Sequence, residues 1–116
     1  MSYKIVTTPA FERRFKPLAK KHRSIINDLA QLIDSIKEEP KQGTLIRENC
    51  YKIRMAITSK GRGKSGGARV ITYVQIIDEK VFLVEIFDKS DKANISEKEL
   101  AKSLSTSVIV GRRNCL

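Results

Sequence analysis

Histidine is almost missing from this chain: His22 is the only one. An ordinary ribonuclease uses imidazoles as acid and base near neutral pH, so any cleavage chemistry here has to rest on other groups. His22 itself lies in the basic stretch Lys20-Lys-His-Arg23, and a surface position is expected for it. Cysteine is nearly as scarce. Cys50 and Cys115 have neither metal-ligand spacing nor a histidine nearby, which argues against a zinc centre and for free thiols in a reducing compartment. No run approaches the roughly 18 apolar residues of a membrane helix, and the opening Met1-Ser-Tyr-Lys-Ile-Val lacks the apolar core of a secretory signal. A soluble, cytoplasmic protein with no membrane partner is expected. Internal repeats and proline-rich linkers are also absent, and the 116 residues, 41% of them hydrophobic, suit one domain over 1–116 with a modest core.

Acid is missing where it would matter most. Residues 41–73 carry eight Lys and Arg against Glu48 alone, whereas residues 74–116 carry seven of each sign; most of the net charge of +10 therefore sits in the middle third. Solvated faces normally mix signs, so this segment reads as a surface for RNA, DNA or an acidic protein. At its centre, Lys60-Gly-Arg-Gly-Lys-Ser-Gly-Gly-Ala-Arg69 puts four cations on a glycine-rich loop leading into the apolar run Val70–Ile77. Exposed amides and guanidinium groups on such a loop can close around a phosphate. The plainer alternative is a hairpin tip whose glycines only permit the turn. Gly63-Lys64-Ser65 does not make a P-loop, because position 58, where that motif needs glycine, is threonine, and the loop opens a strand instead of a helix. The cluster Lys60, Arg62, Lys64 and Arg69 offers a route to catalysis without histidine. Crowded like charges disfavour a protonated amine, and arginines can neutralise charge growing on a phosphorane.

The apolar spacing predicts an α+β chain. Tyr3–Val6 is a strand; Thr8 and Pro9 start a helix with Phe11, Phe15 and Leu18 on one face, and Pro17 should kink or stop it. Ile25, Leu29, Leu32, Ile33 and Ile36 mark a second helix ending before Pro40. Three β-rich runs follow, Leu45–Ile57, Ala68–Ile77 and Val81–Phe87, with a tight hairpin at Asp78-Glu79-Lys80. Ser96 and Glu99 form a capping box for a short C-terminal helix using Leu100 and Leu104, and Val108–Val110 in the tail 105–116 is either an edge strand, a docked segment or a frayed end. The expectation is two helices packed on a mainly antiparallel, four-stranded twisted sheet, with a strand first and a short helix last.

This order, together with Tyr51-Lys-Ile-Arg54, Gly61-Arg-Gly-Lys-Ser-Gly-Gly-Ala-Arg-Val-Ile-Thr-Tyr73 and Phe87-Asp-Lys-Ser-Asp-Lys92, resembles the RelE/ParE toxin superfamily, particularly its HigB-like branch, from about Tyr3 to Leu104. The resemblance implies the toxin of a type II toxin-antitoxin module. Its action would be cleavage of messenger RNA in the ribosomal A site, by attack of a ribose 2′-hydroxyl on the adjacent phosphate without metal or cofactor. It further implies one of Lys60 and Lys64 as general base and the other as phosphate ligand, Arg69 as stabiliser of the transition-state phosphate, and Lys89 at the leaving oxygen. Arg54, Arg62 and Lys92 would bind substrate. Strongly cleaving members often carry a Tyr or His in the C-terminal segment, and neither occurs here after Tyr73, so base stacking either falls to Tyr73 or Phe87 or is absent. The implied partners are a cognate antitoxin, the ribosome with its messenger, and operator DNA only through the antitoxin. Two other readings compete: a ParE-like inhibitor of DNA gyrase, and a static, basic nucleic-acid-binding module.

Overall fold

Lys4–Thr7 (β1) lies parallel to the last strand, pairing Lys4 with Lys80 and Thr7 with Leu83. This is seen in a computed structural model that describes residues 3–61, 63, 66–90, 96 and 98–102. Thr8 then caps α1 (Pro9–Lys21): its side chain accepts the Phe11 amide and donates to the Leu83 carbonyl, so one hydroxyl both starts the helix and ties it to the sheet. Proline at the first helical position costs nothing, because the amide it lacks would be unpaired there anyway. Pro17 does not stop α1, which continues to Lys21, so of the expected kink or stop the stop is absent. It lies on the exposed side, where the carbonyl deprived of its donor can be satisfied by water. Phe11 and Leu18 point inward with Phe15 packed beside them, and Ile25, Leu29 and Ile36 do the same on α2 (Ile25–Glu38).

The first β-rich run folds as two strands, giving a mixed sheet of five. β2 (Thr44–Arg47) turns at Glu48-Asn49, where Asn49 adopts a left-handed backbone, into β3 (Cys50–Met55). β3 pairs antiparallel with β4 (Ala68–Gln75), and β4 with β5 (Lys80–Asp88), so the order is β1-β5-β4-β3-β2. The last hairpin loop is wider than predicted. β4 stops at Gln75, and the turn Ile76–Glu79 leaves Ile77 almost fully exposed.

Alternation along the strands separates two cores. Ile53, Met55, Ala68, Val70, Val74, Leu83 and Ile86 face the helices. Cys50, Ile71, Phe82, Val84 and Phe87 form a second cluster that includes Leu100. Leu100 comes from the helical segment 98–102, whose expected capping box is present: Ser96 Oγ accepts the Glu99 amide and donates to its carboxylate. Leu104 and the tail 105–116 lie outside the described residues. Among the described residues no helix is long and apolar enough to cross a membrane.

Candidate functional site

The ends of β3, β4 and β5 converge where the glycine-rich loop leaves and rejoins the sheet. Gly67 makes the approach possible. A Cβ there would collide with the Met55 carbonyl oxygen, while the Gly67 carbonyl accepts the Lys89 amide at 3.1 Å. Arg69 on β4 pairs with Arg54 on β3 and with Phe87 on β5, two residues before Lys89. Directly paired residues of an antiparallel ladder share a face. Arg54, Arg69 and Phe87 therefore lie on the side away from the helices, and Lys89 follows at the same end of the sheet.

These groups differ in exposure. Arg54 and Lys89 are open to solvent, whereas Arg69 is only 4% exposed and its Nη1 donates to the Ala68 carbonyl. Burial, and then the facing charge of Arg54, pulls the Arg69 pKa below the ordinary arginine value, although a guanidinium remains a cation at physiological pH. Phe87 is buried, and Tyr73 is not beside Arg69: it stands four residues further along β4, about 13 Å at strand spacing, with buried Ile71 between and its ring against Phe82.

Lys60 is placed differently from the two arginines. It closes the 3₁₀ turn Thr58–Lys60, and its ammonium donates to Asp88 Oδ1 at 2.9 Å and to Ser90 Oγ at 2.8 Å. Asp88 pairs in register with Ala68, a residue of the helix-side core, so the lysine head comes to the end of the sheet from the helix side. Behind Asp88 stands His22, whose Nε2 lies 2.9 Å from Oδ2. The surface position expected for His22 is thus wrong: it is 8% exposed. A signal for this was present, since His22 falls four residues after Leu18 and continues the apolar stripe of α1, just as Asp88 falls two after Ile86 on the inward face of β5.

Burial alone would push the Asp88 carboxyl up. Hydrogen bonds from Lys60, the Ser90 amide and His22, with the Lys60 charge, outweigh it and hold the pKa at about 2. A second acid fixes the other end of the same turn. Asp28 on α2 accepts the Thr58 amide and hydroxyl and the Ser24 hydroxyl, and these bonds, against its burial, keep its carboxyl below the ordinary value. Ser24 Oγ also accepts the Ser59 amide. Sequence reasoning missed both acids.

Lys64, Arg62 and Lys92 lie outside the described residues. A groove of about 370 Å³ runs between α1 and the end of β5, lined by Arg13, Arg14, Leu18 and Ile86 among others and bridged by an Arg14–Glu85 ion pair of 3.3 Å. It does not cover Arg54 or Arg69. Among the described residues no three His, Cys, Asp or Glu side chains gather as a metal site.

Comparison with known proteins agrees with this architecture. The family model described as the RelE toxin of the RelE/RelB toxin-antitoxin system matches residues 5–112. A mutant E. coli toxin RelE in the free state superposes with a TM-score of 0.58 at 18% identity, covering 93% of this chain and 96% of that one. The isolated E. coli RelE toxin gives 0.55 at 20% identity, covering 90% and 97%. No curated protein matches in sequence.

Proposed function

This chain belongs to the RelE toxin family, and we propose that it is a messenger RNA endonuclease that acts on the translating ribosome and is neutralised by a cognate antitoxin in the cytoplasm. The observation that carries the reading is the pair Arg54 and Arg69, set opposite each other where the glycine-rich loop, β4 and the turn after β5 meet. Two guanidinium groups on one face can bind the non-bridging oxygens of a phosphodiester and take up the charge that grows on them during displacement.

In the proposed reaction the ribose 2′-oxygen attacks the neighbouring phosphorus, the bond from phosphorus to the 5′-oxygen breaks, and a 2′,3′-cyclic phosphate and a 5′-hydroxyl result. Lys64 on the loop takes the proton from the 2′-hydroxyl, and Lys89 supplies one to the departing oxygen. Lys60 is assigned to phosphate binding in preference to base work. Two of its three N–H groups are engaged by Asp88 and Ser90, and the third is left to reach a phosphate oxygen. Arg62 and Lys92 would hold the flanking backbone.

The test is a cell-free translation reaction with the purified chain and a Lys60→Ala, Lys64→Ala, Arg69→Ala triple variant, followed by mapping of messenger ends. New 5′-hydroxyl ends with the parent and none with the variant are expected. A parent that halts growth yet leaves messages intact would remove cleavage as the mechanism, and filamentation with continued protein synthesis would point to gyrase.

A further inference from the structure

We propose that His22 and Asp88 are positioning residues for this reaction, acting through Lys60 to hold its ammonium at the end of the sheet. The inference rests on the proposed cleavage activity and assigns work to two residues that touch no substrate. A lysine head on four rotatable bonds has no preferred place of its own at a loop stem, and a displacement of about 1 Å in a group that binds the reacting phosphate can cost on the order of a hundredfold in rate. Here the head is fixed by a chain of contacts that reaches into the core.

His22 is set by the end of α1, where its amide donates to the Leu18 carbonyl at 2.8 Å and its ring turns inward. Its Nε2 meets Asp88 Oδ2 at 2.9 Å. The other carboxylate oxygen takes the Ser90 amide and the Lys60 ammonium, both at 2.9 Å. Both oxygens of a 1%-exposed carboxylate are thus engaged, and the direction it transmits is that of the lysine. Among the described residues, His22 from the end of α1 and Lys60 from the turn contact the Asp88 carboxylate, with Arg13 and Arg14 of α1 and Glu85 of β5 lining the adjoining groove. Asp28 supplies a control within the molecule. It anchors the same turn through Thr58 and Ser24 without contact to the Lys60 ammonium.

The experiment measures single-turnover cleavage of a defined message on stalled ribosomes across toxin concentrations, normalised to folded protein, for the full chain and its variants. Asp88→Asn and His22→Leu are expected to slow the saturating rate about tenfold to a hundredfold with little change in the half-saturating concentration. His22→Gln, which keeps a donor near the position of Nε2, restores the rate to within about threefold, and Asp28→Asn lowers the melting temperature with a rate loss under about threefold. Ser90→Ala, at an exposed position that does not threaten folding, removes one acceptor of Lys60 and slows cleavage about threefold to tenfold. Wild-type rates in folded Asp88→Asn or in Ser90→Ala overturn the inference, as does an Asp28→Asn loss equal to that of Asp88→Asn, which would mean that turn order alone matters. A wild-type chain that leaves the message intact refutes the proposed function, and the positioning role falls with it.

Discussion

Replacing Asp88 by asparagine keeps the shape of the side chain and deletes its charge, which makes the acid limb of the stability profile a direct reading of the His22–Asp88–Lys60 contacts. The carboxyl is depressed from 3.8 to about 2. At about 1.36 kcal/mol per pKa unit this depression amounts to roughly 2 kcal/mol. A carboxyl depressed on folding stabilises the native state above its unfolded pKa, and that contribution is lost as pH falls toward the folded value. The window is therefore about pH 4 to pH 2, where the wild type should lose roughly 2 kcal/mol more than Asp88→Asn does. At pH 6 the variant should be less stable by about 2 to 3 kcal/mol, because Lys60 and His22 lose a buried charged partner while the amide retains part of the hydrogen bonding. Urea unfolding of both proteins at several pH values measures this. Other acids, Asp28 included, titrate in both proteins and cancel in the difference. Curves that stay parallel from pH 5 to pH 2 would refute the claim that these contacts hold the carboxylate in its charged form.

Three further outcomes are expected. Asp28→Ala leaves the Thr58 amide and hydroxyl without their acceptor and should cost about 1 to 3 kcal/mol in chemical denaturation, with amide exchange accelerated first at Thr58 and Ser59. Arg54→Ala relieves a like-charge pair in register, so the free protein should be unchanged or more stable by a few tenths of a kcal/mol while its affinity for RNA falls and the salt dependence of binding becomes shallower. In a Cys115→Ser background, Cys50, 1% exposed and with its thiol pushed up to about 11 by burial against the opposing charge of Arg47, should resist maleimide in the native state and react at the rate of unfolding; rapid labelling of folded protein would contradict the burial.

The secondary structure was legible where local chemistry and periodicity agree. Thr8-Pro9 starts a helix because a hydroxyl caps and a proline needs no donor, and Ser96 with Glu99 does the same near the other end. Pro17 does not stop the helix because the carbonyl it frees lies on an exposed flank, where water can satisfy it. The split of the first β-rich run was hidden in Glu48-Asn49, a two-residue turn without glycine. The cationic face was readable as charge, since alternation and register bring Arg54 and Arg69 together once β3 pairs with β4. The buried network was not. Its members, His22, Lys60 and Asp88, are scattered over 66 positions of sequence and meet only where α1 crosses the end of β5, a relation that no local pattern encodes.

That network also explains why the charge excess of the middle third does not spread evenly over the sheet end. Two acids from outside the segment, one on α2 and one on β5, fold in behind the loop stem and engage Lys60 and the Thr58 turn. On the other face the register sets Arg54 against Arg69, and like charges directly opposite between strands repel. A phosphate between the two guanidinium groups would reverse the sign of that contribution. Because charge increases on the non-bridging oxygens as displacement proceeds, the reversal would be larger in the transition state than in the bound ground state.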